Sequence, residues 1–106
     1  MARPNLRAAA VQLSPRLLDR DGTTEKVVDA IERCGRDHVG LAVFPETIIP
    51  TYPYFAMVTA PAAIGELMAR LHDQAVEVPG PVTETVGGAA GRAGTVVVLG
   101  VNERDG

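Results

Sequence analysis

Val39-Gly-Leu-Ala-Val-Phe-Pro-Glu-Thr-Ile-Ile-Pro-Thr-Tyr-Pro-Tyr-Phe55 is the stretch whose reading decides the fold. All four aromatic residues of the 106-residue chain (Phe44, Tyr52, Tyr54 and Phe55) lie in it with three of the eight prolines, so aromatic bulk and an interrupted backbone coincide here. It opens with a continuous apolar run, Val39 to Phe44, of the kind that fills a strand buried on both faces. Pro45 has no N–H for a sheet ladder, so the strand is predicted to stop there. Glu46 comes immediately after it. An ionised carboxylate at the end of a buried strand is costly unless paired or used. In parallel α/β sheets the carboxyl ends of strands are also where ligands bind. Position alone therefore leaves two roles for Glu46: a structural one, pairing an arginine or capping the next segment, and a functional one.

Upstream, Leu6-Arg-Ala-Ala-Ala-Val-Gln-Leu13 reads as a first strand closed by Ser14-Pro15, its alanines implying a tight, two-sided environment. Asp21-Gly22 signals a turn, after which Thr23 or Thr24 caps a helix with Glu25 in its first turn. Val27, Val28, Ile31 and Cys34 form the buried stripe of that helix, and Gly35 lies near its end. Downstream of the aromatic loop, Pro61 suits the first turn of a second helix, with Thr59 as its cap. Ile64, Leu67, Met68, Leu71 and Ala75 give its amphipathic period, and Met57 and Met68 read as core filling. Val78-Pro-Gly-Pro81 breaks that helix and starts another along Val82, Val86, Ala89, Ala90 and Ala93, which Gly94 terminates. Thr95-Val-Val-Val-Leu-Gly-Val101 is a third strand, again apolar and β-branched. Strands alternating with helices predict an α/β fold with a mainly parallel sheet. Gly87, Gly88, Gly91 and Gly94 sit within a helix and precede a strand, the reverse of a dinucleotide-binding turn, so they read as small residues for close helix packing.

Composition narrows the function classes. A net charge of −3 with scattered basic residues offers no footprint for nucleic acid. No apolar run approaches a membrane span. Cys34, the single cysteine, rules out an intrachain disulfide framework and fits a reducing, cytoplasmic setting. On its helix it reads as a small hydrophobe and not as a nucleophile. His38 and His72 are isolated in sequence, so no metal and no cofactor are expected.

Phe44-Pro-Glu-Thr-Ile-Ile-Pro-Thr-Tyr-Pro-Tyr-Phe55 closely resembles the segment of the nitrilase family of carbon–nitrogen hydrolases that carries the catalytic glutamate. Ala9-Ala-Val-Gln-Leu13, Ala75-Val-Glu-Val-Pro-Gly-Pro81 and Val97-Val-Leu-Gly-Val-Asn-Glu-Arg104 resemble further nitrilase segments, so the likeness covers essentially the whole chain. It implies the N-terminal portion of an αββα sandwich, with residues 1–106 a single incomplete domain. It further implies hydrolysis of a small-molecule nitrile to a carboxylic acid and ammonia by a Glu-Lys-Cys triad, with Glu46 as general base. Tyr52 and Tyr54 become candidate pocket-wall residues, with aromatic packing or a subunit contact as the alternative. The family's lysine and cysteine lie downstream of the third strand; Lys26 and Cys34 precede Glu46 and match neither motif. With one triad member of three, these residues alone are expected to be inactive, and the complete enzyme to be a homo-oligomer. A related amidase, a cyanide-hydrolysing enzyme and a non-catalytic α/β interaction module are the alternatives.

Overall fold

The apolar run after Val39 forms the central strand of a three-stranded parallel sheet in a computed structural model that describes residues 4–105. In chain order the elements are β1 (Ala8–Ala10), α1 (Arg20–Arg36), β2 (Leu41–Val43), α2 (Phe55–Val58), α3 (Pro61–Asp73), α4 (Pro81–Ala93) and β3 (Val96–Val98). The sheet order is β1-β2-β3, with Ala9, Ala42 and Val97 abreast. The expected α/β class and parallel pairing are what the chain adopts.

Two crossovers of one hand, stepping in one direction along the sheet, place their helices on the same face. Accordingly α1 and α4 pack on each other and on one side of the strands. Val27, Ile31 and Cys34 from α1 meet Val82, Val86 and Ala89 from α4 over Ala42 and Phe44. Full burial of a side chain the size of Val27 or Ile31 contributes about 1.5–3 kcal/mol. Gly35 makes the helix crossing possible: a Cβ there would lie 2.9 Å from the Ala93 Cβ.

The helices also correct the expectations at several points. The α1 cap is Asp19, whose carboxylate accepts from Gly22 N at 2.8 Å, so Asp21-Gly22 lies inside the first turn. Thr23 and Thr24 are not caps; their hydroxyls donate to Arg16 O and Arg20 O. Several polar residues compete for this start, and Asp19 wins because its backbone is extended while Thr23 turns back on the preceding loop. Residues 55–58 form an additional short helix, and α3 begins at Pro61 behind Ala60, with no side-chain cap from Thr59. Met57 and Met68 are exposed and fill no core. The glycines of α4 do not meet a neighbouring helix, since Gly87 and Gly91 face open space. Gly94 does end α4, in the left-handed conformation (φ 65°) that glycine adopts without a steric penalty.

The two-sided burial expected of the strands is not realised. Paired residues point to the same face, and the row next to Ala9, Ala42 and Val97 points away from the helices. On that side Ala8 and Ala10 are exposed, as are Val43 (42%), Val96 (66%) and Val98 (51%). Among the described residues no element covers this face.

Beyond β3 the chain continues between two linkers. Asn102 N donates to Ile49 O (2.9 Å), Val76 N to Asn102 O (2.7 Å) and Arg104 N to Val76 O (2.8 Å). Arg104 also reaches Asp73 O and the Glu77 carboxylate, which pins the segment between α3 and α4.

Ile31→Ala, which empties a fully buried site between α1, α4 and the sheet, is expected to cost roughly 2–5 kcal/mol. Met57→Ala on the exposed surface should stay within about 0.5 kcal/mol. Urea denaturation of both variants checks the pair; equal effects would contradict a core centred on Ile31.

Candidate functional site

Three parallel strands in register bring their carboxyl ends to one edge of the sheet. Residues 11–13, 44–47 and 99–102 leave the sheet side by side there, the position at which open α/β sheets bind ligands. Pairing runs one residue past β2, through Phe44 N to Val98 O at 2.9 Å, and stops at Pro45, which has no hydrogen to donate. The backbone then turns through Glu46, Thr47 and Ile48.

Thr47 takes a left-handed conformation, φ 46°. That region is unfavourable for a β-branched residue and persists only where its surroundings hold it. Ile48 and Ile49 anchor the turn from behind, at 4% and 0% exposure. Gly100 lies directly beneath it: a Cβ on Gly100 would come within 2.6 Å of Thr47 N and 3.1 Å of Glu46 Cα. The Thr47 hydroxyl oxygen is buried without a hydrogen-bond partner among the described residues.

The Glu46 side chain points into solvent. Among the described residues, the ion pairs are Arg20–Asp21 (3.1 Å) and Arg104–Glu77 (2.9 Å), and neither involves Glu46. The residues after Glu46 form a turn and not a helix, so there is no helix for it to cap. The structural role open to Glu46 from its position is therefore not taken up within the described residues. Its backbone is fixed and its carboxylate is unengaged among the described residues, an arrangement suited to accepting a proton from a group brought to it.

Tyr52 and Tyr54 contact each other, with ring centroids 4.8 Å apart and planes tilted by 49°, a favoured aromatic geometry. Tyr52 is half-buried and Tyr54 is 66% exposed. Lys26 Nζ is engaged by Ser14 O at 2.7 Å, and Cys34 is buried on α1 in the helix-covered core.

Two residues around Glu46 escaped the sequence reading. Gly100 carried a readable signal, because a glycine inside a strand pattern marks a close approach of another backbone. Asn102 carried none. Its backbone amide holds Ile49 O, and its side-chain Nδ2 donates to Thr51 O at 2.9 Å.

The family model described as "Carbon-nitrogen hydrolase" matches residues 7–106. A protein described as "Nitrilase 3", from an unknown prokaryotic organism, is 52% identical over 103 residues, which is 95% of this chain and 31% of that protein. A "Nitrilase" of Paraburkholderia phymatum is 52% identical over 100 residues, 94% of this chain and 29% of its own length. An "Aliphatic nitrilase" of Rhodococcus rhodochrous is 35% identical over 101 residues, 94% of this chain and 28% of its own. The chain thus spans 28–31% of the length of these curated relatives.

Thr47→Val keeps the side-chain shape and removes the unpartnered buried hydroxyl. It is expected to leave stability unchanged or raise it by up to about 1 kcal/mol. A loss of more than that on chemical denaturation would mean that the hydroxyl has a partner.

Proposed function

The chain belongs to the carbon–nitrogen hydrolase family, and from that premise we propose that it is the glutamate-bearing N-terminal part of a nitrile-hydrolysing enzyme, with Glu46 as the general base. The observation that carries this proposal is a carboxylate, unpaired among the described residues, at the carboxyl end of the central parallel strand and seated on a strained turn. The descriptions of the relatives, nitrilases at up to 52% identity, support nitriles as the substrate class.

In the reaction so proposed, a cysteine thiol supplied from outside these residues loses its proton to Glu46 and attacks the nitrile carbon. Glu46 passes that proton to the nitrile nitrogen, giving a thioimidate and freeing the carboxylate for the later step. A positive charge nearby, the lysine of the family's triad, steadies the negative charge that develops on nitrogen. Addition of water and loss of ammonia lead to an acyl-enzyme. Glu46 then takes a proton from a second water as it attacks the acyl carbon, and returns it to the departing cysteine sulfur as the carbon–sulfur bond breaks, releasing the carboxylic acid and restoring the thiol. An exposed glutamate with no competing partner among the described residues is able to serve both steps, since each requires a carboxylate that exchanges protons with a different group. Tyr52 and Tyr54, a few residues downstream of the base, form an aromatic wall for the nitrile's substituent in this proposal.

The test uses the longest native polypeptide that carries these residues. It should release ammonia from a nitrile faster than from the corresponding amide or than from cyanide. Glu46→Gln, which preserves shape and removes the base, should lower kcat by about 10²–10⁴-fold. A Glu46→Gln protein with the parent's kcat would refute the assignment of the base, and preferential turnover of the amide or of cyanide would refute the substrate class.

A further inference from the structure

With no partner on its carboxylate among the described residues, Glu46 owes its direction to its backbone, and that backbone is held from the far end of the chain. Two contacts do this. The Pro45–Thr47 segment rests on Gly100: a Cβ there would stand 2.6 Å from Thr47 N, 3.1 Å from Glu46 Cα and 3.1 Å from Pro45 O. All three neighbours are main-chain atoms, so none is able to swing aside as a long side chain would. The exit from the turn is tied by Asn102, whose amide donates to Ile49 O (2.9 Å) and whose Nδ2 donates to Thr51 O (2.9 Å). Thr51 is 3% exposed, so water does not readily replace that donor. Asn102 is held in turn by Val76 N, which donates to its carbonyl at 2.7 Å.

We propose that Gly100 and Asn102 are positioning residues for Glu46: the first is the floor that sets the height of the Glu46 backbone, and the second is the tether that keeps the turn closed on it. The inference rests on Glu46 being the base. Both residues act through the placement of one carboxylate and neither touches substrate. The physical leverage is large, because a displacement of about 1 Å in a reacting group costs on the order of 10²-fold in rate. A methyl group on Gly100 demands a shift of several tenths of an ångström or more from Glu46 Cα or Thr47 N, since ordinary contacts of a Cβ begin near 3.4 Å. Asn102→Ala removes only the Nδ2 bond and leaves both backbone bonds in place. Asn102→Asp replaces the donor by an acceptor and sets oxygen against oxygen at Thr51.

The experiment measures kcat and KM for nitrile hydrolysis in the longest native polypeptide carrying these residues. It compares the parent with Gly100→Ala, Asn102→Ala, Asn102→Asp and Glu46→Gln, and with Glu46→Gln combined with each of the first two. Thermal melting of each protein is followed alongside. The expected result is a kcat lower by about 10²-fold in Gly100→Ala and by roughly tenfold in Asn102→Ala, the rate equivalent of one hydrogen bond. Asn102→Asp should lie at or below Asn102→Ala. KM should be nearly unchanged, and neither substitution should lower the residual rate of Glu46→Gln further, because a residue acting through the carboxylate has nothing left to position. Should Gly100→Ala fail to fold, the two Asn102 variants carry the test. Unchanged kcat in the folded variants, with Glu46→Gln inactive, would overturn the inference and leave the base intact. Full additivity on the Glu46→Gln background would overturn it in favour of a general structural role. A Glu46→Gln protein as active as the parent removes the base and this inference with it, and that single variant tells the two failures apart.

Discussion

Val43 O accepts from Val11 N at 2.8 Å, and the next amide along, Phe44 N, donates to Val98 O at 2.9 Å. β2 is thereby held on both edges up to the residue before Pro45. The layout of the sheet's carboxyl end depends on that pair of bonds. They align the ends of β1 and β3 with the end of β2, so the turn bearing Glu46 emerges between two neighbouring backbones. Proline then ends the ladder by chemistry, since it has no hydrogen to offer on either side. The carboxylate appears where the sheet can no longer occupy the backbone, flanked by chain that the sheet itself has put in place.

The sheet has two unlike faces. One is closed by α1 and α4, whose aliphatic stripes interlock over Ala42 and Phe44. The other presents Val43, Val96 and Val98 to solvent. A β-branched row is favoured on a strand because it packs against a neighbouring surface, so the exposed row has the composition of an inner layer. The chain spans 31% of the length of a 52% identical relative. An αββα sandwich would lay a second sheet on this face, which agrees with the direction in which the valines point.

Local and distant contacts divide the labour around Glu46. Locally, Ile48 and Ile49 plunge into the core immediately after the turn and force the chain over at Thr47. From a distance, the chain beyond β3 threads between residues 49–51 and 75–77 and bonds to both. The last strand and its extension therefore tie the loop after β2 to the linker before α4. Removing either limb would leave a β-branched residue in a left-handed conformation with little to keep it there.

Much of this was legible in the sequence because it depends on neighbours along the chain. The spacing of Val27, Ile31 and Cys34 marked the buried stripe of α1, Pro45 marked the end of β2, and Gly94 the end of α4. Glu46 stood out as a carboxylate at a strand's end, and the wording around it pointed to the family that the match over residues 7–106 shows. What escaped was set by groups far apart in sequence. The choice of Asp19 over Thr23 as the α1 cap depended on where the preceding loop ran. The apolar strands were read as buried on both faces, whereas an apolar pattern records what a face is suited to meet and not whether anything is there to meet it. The seat of Glu46 on Gly100 and the tether from Asn102 to Thr51, 51 residues apart, exist only once β3 has paired with β2. Sequence by itself thus determined which residues form the elements and which carboxylate stands at the end of the central strand. Tertiary structure alone decided what holds the backbone beneath that carboxylate, because the holding contacts are made by a strand and its extension that must first cross half the chain to reach it.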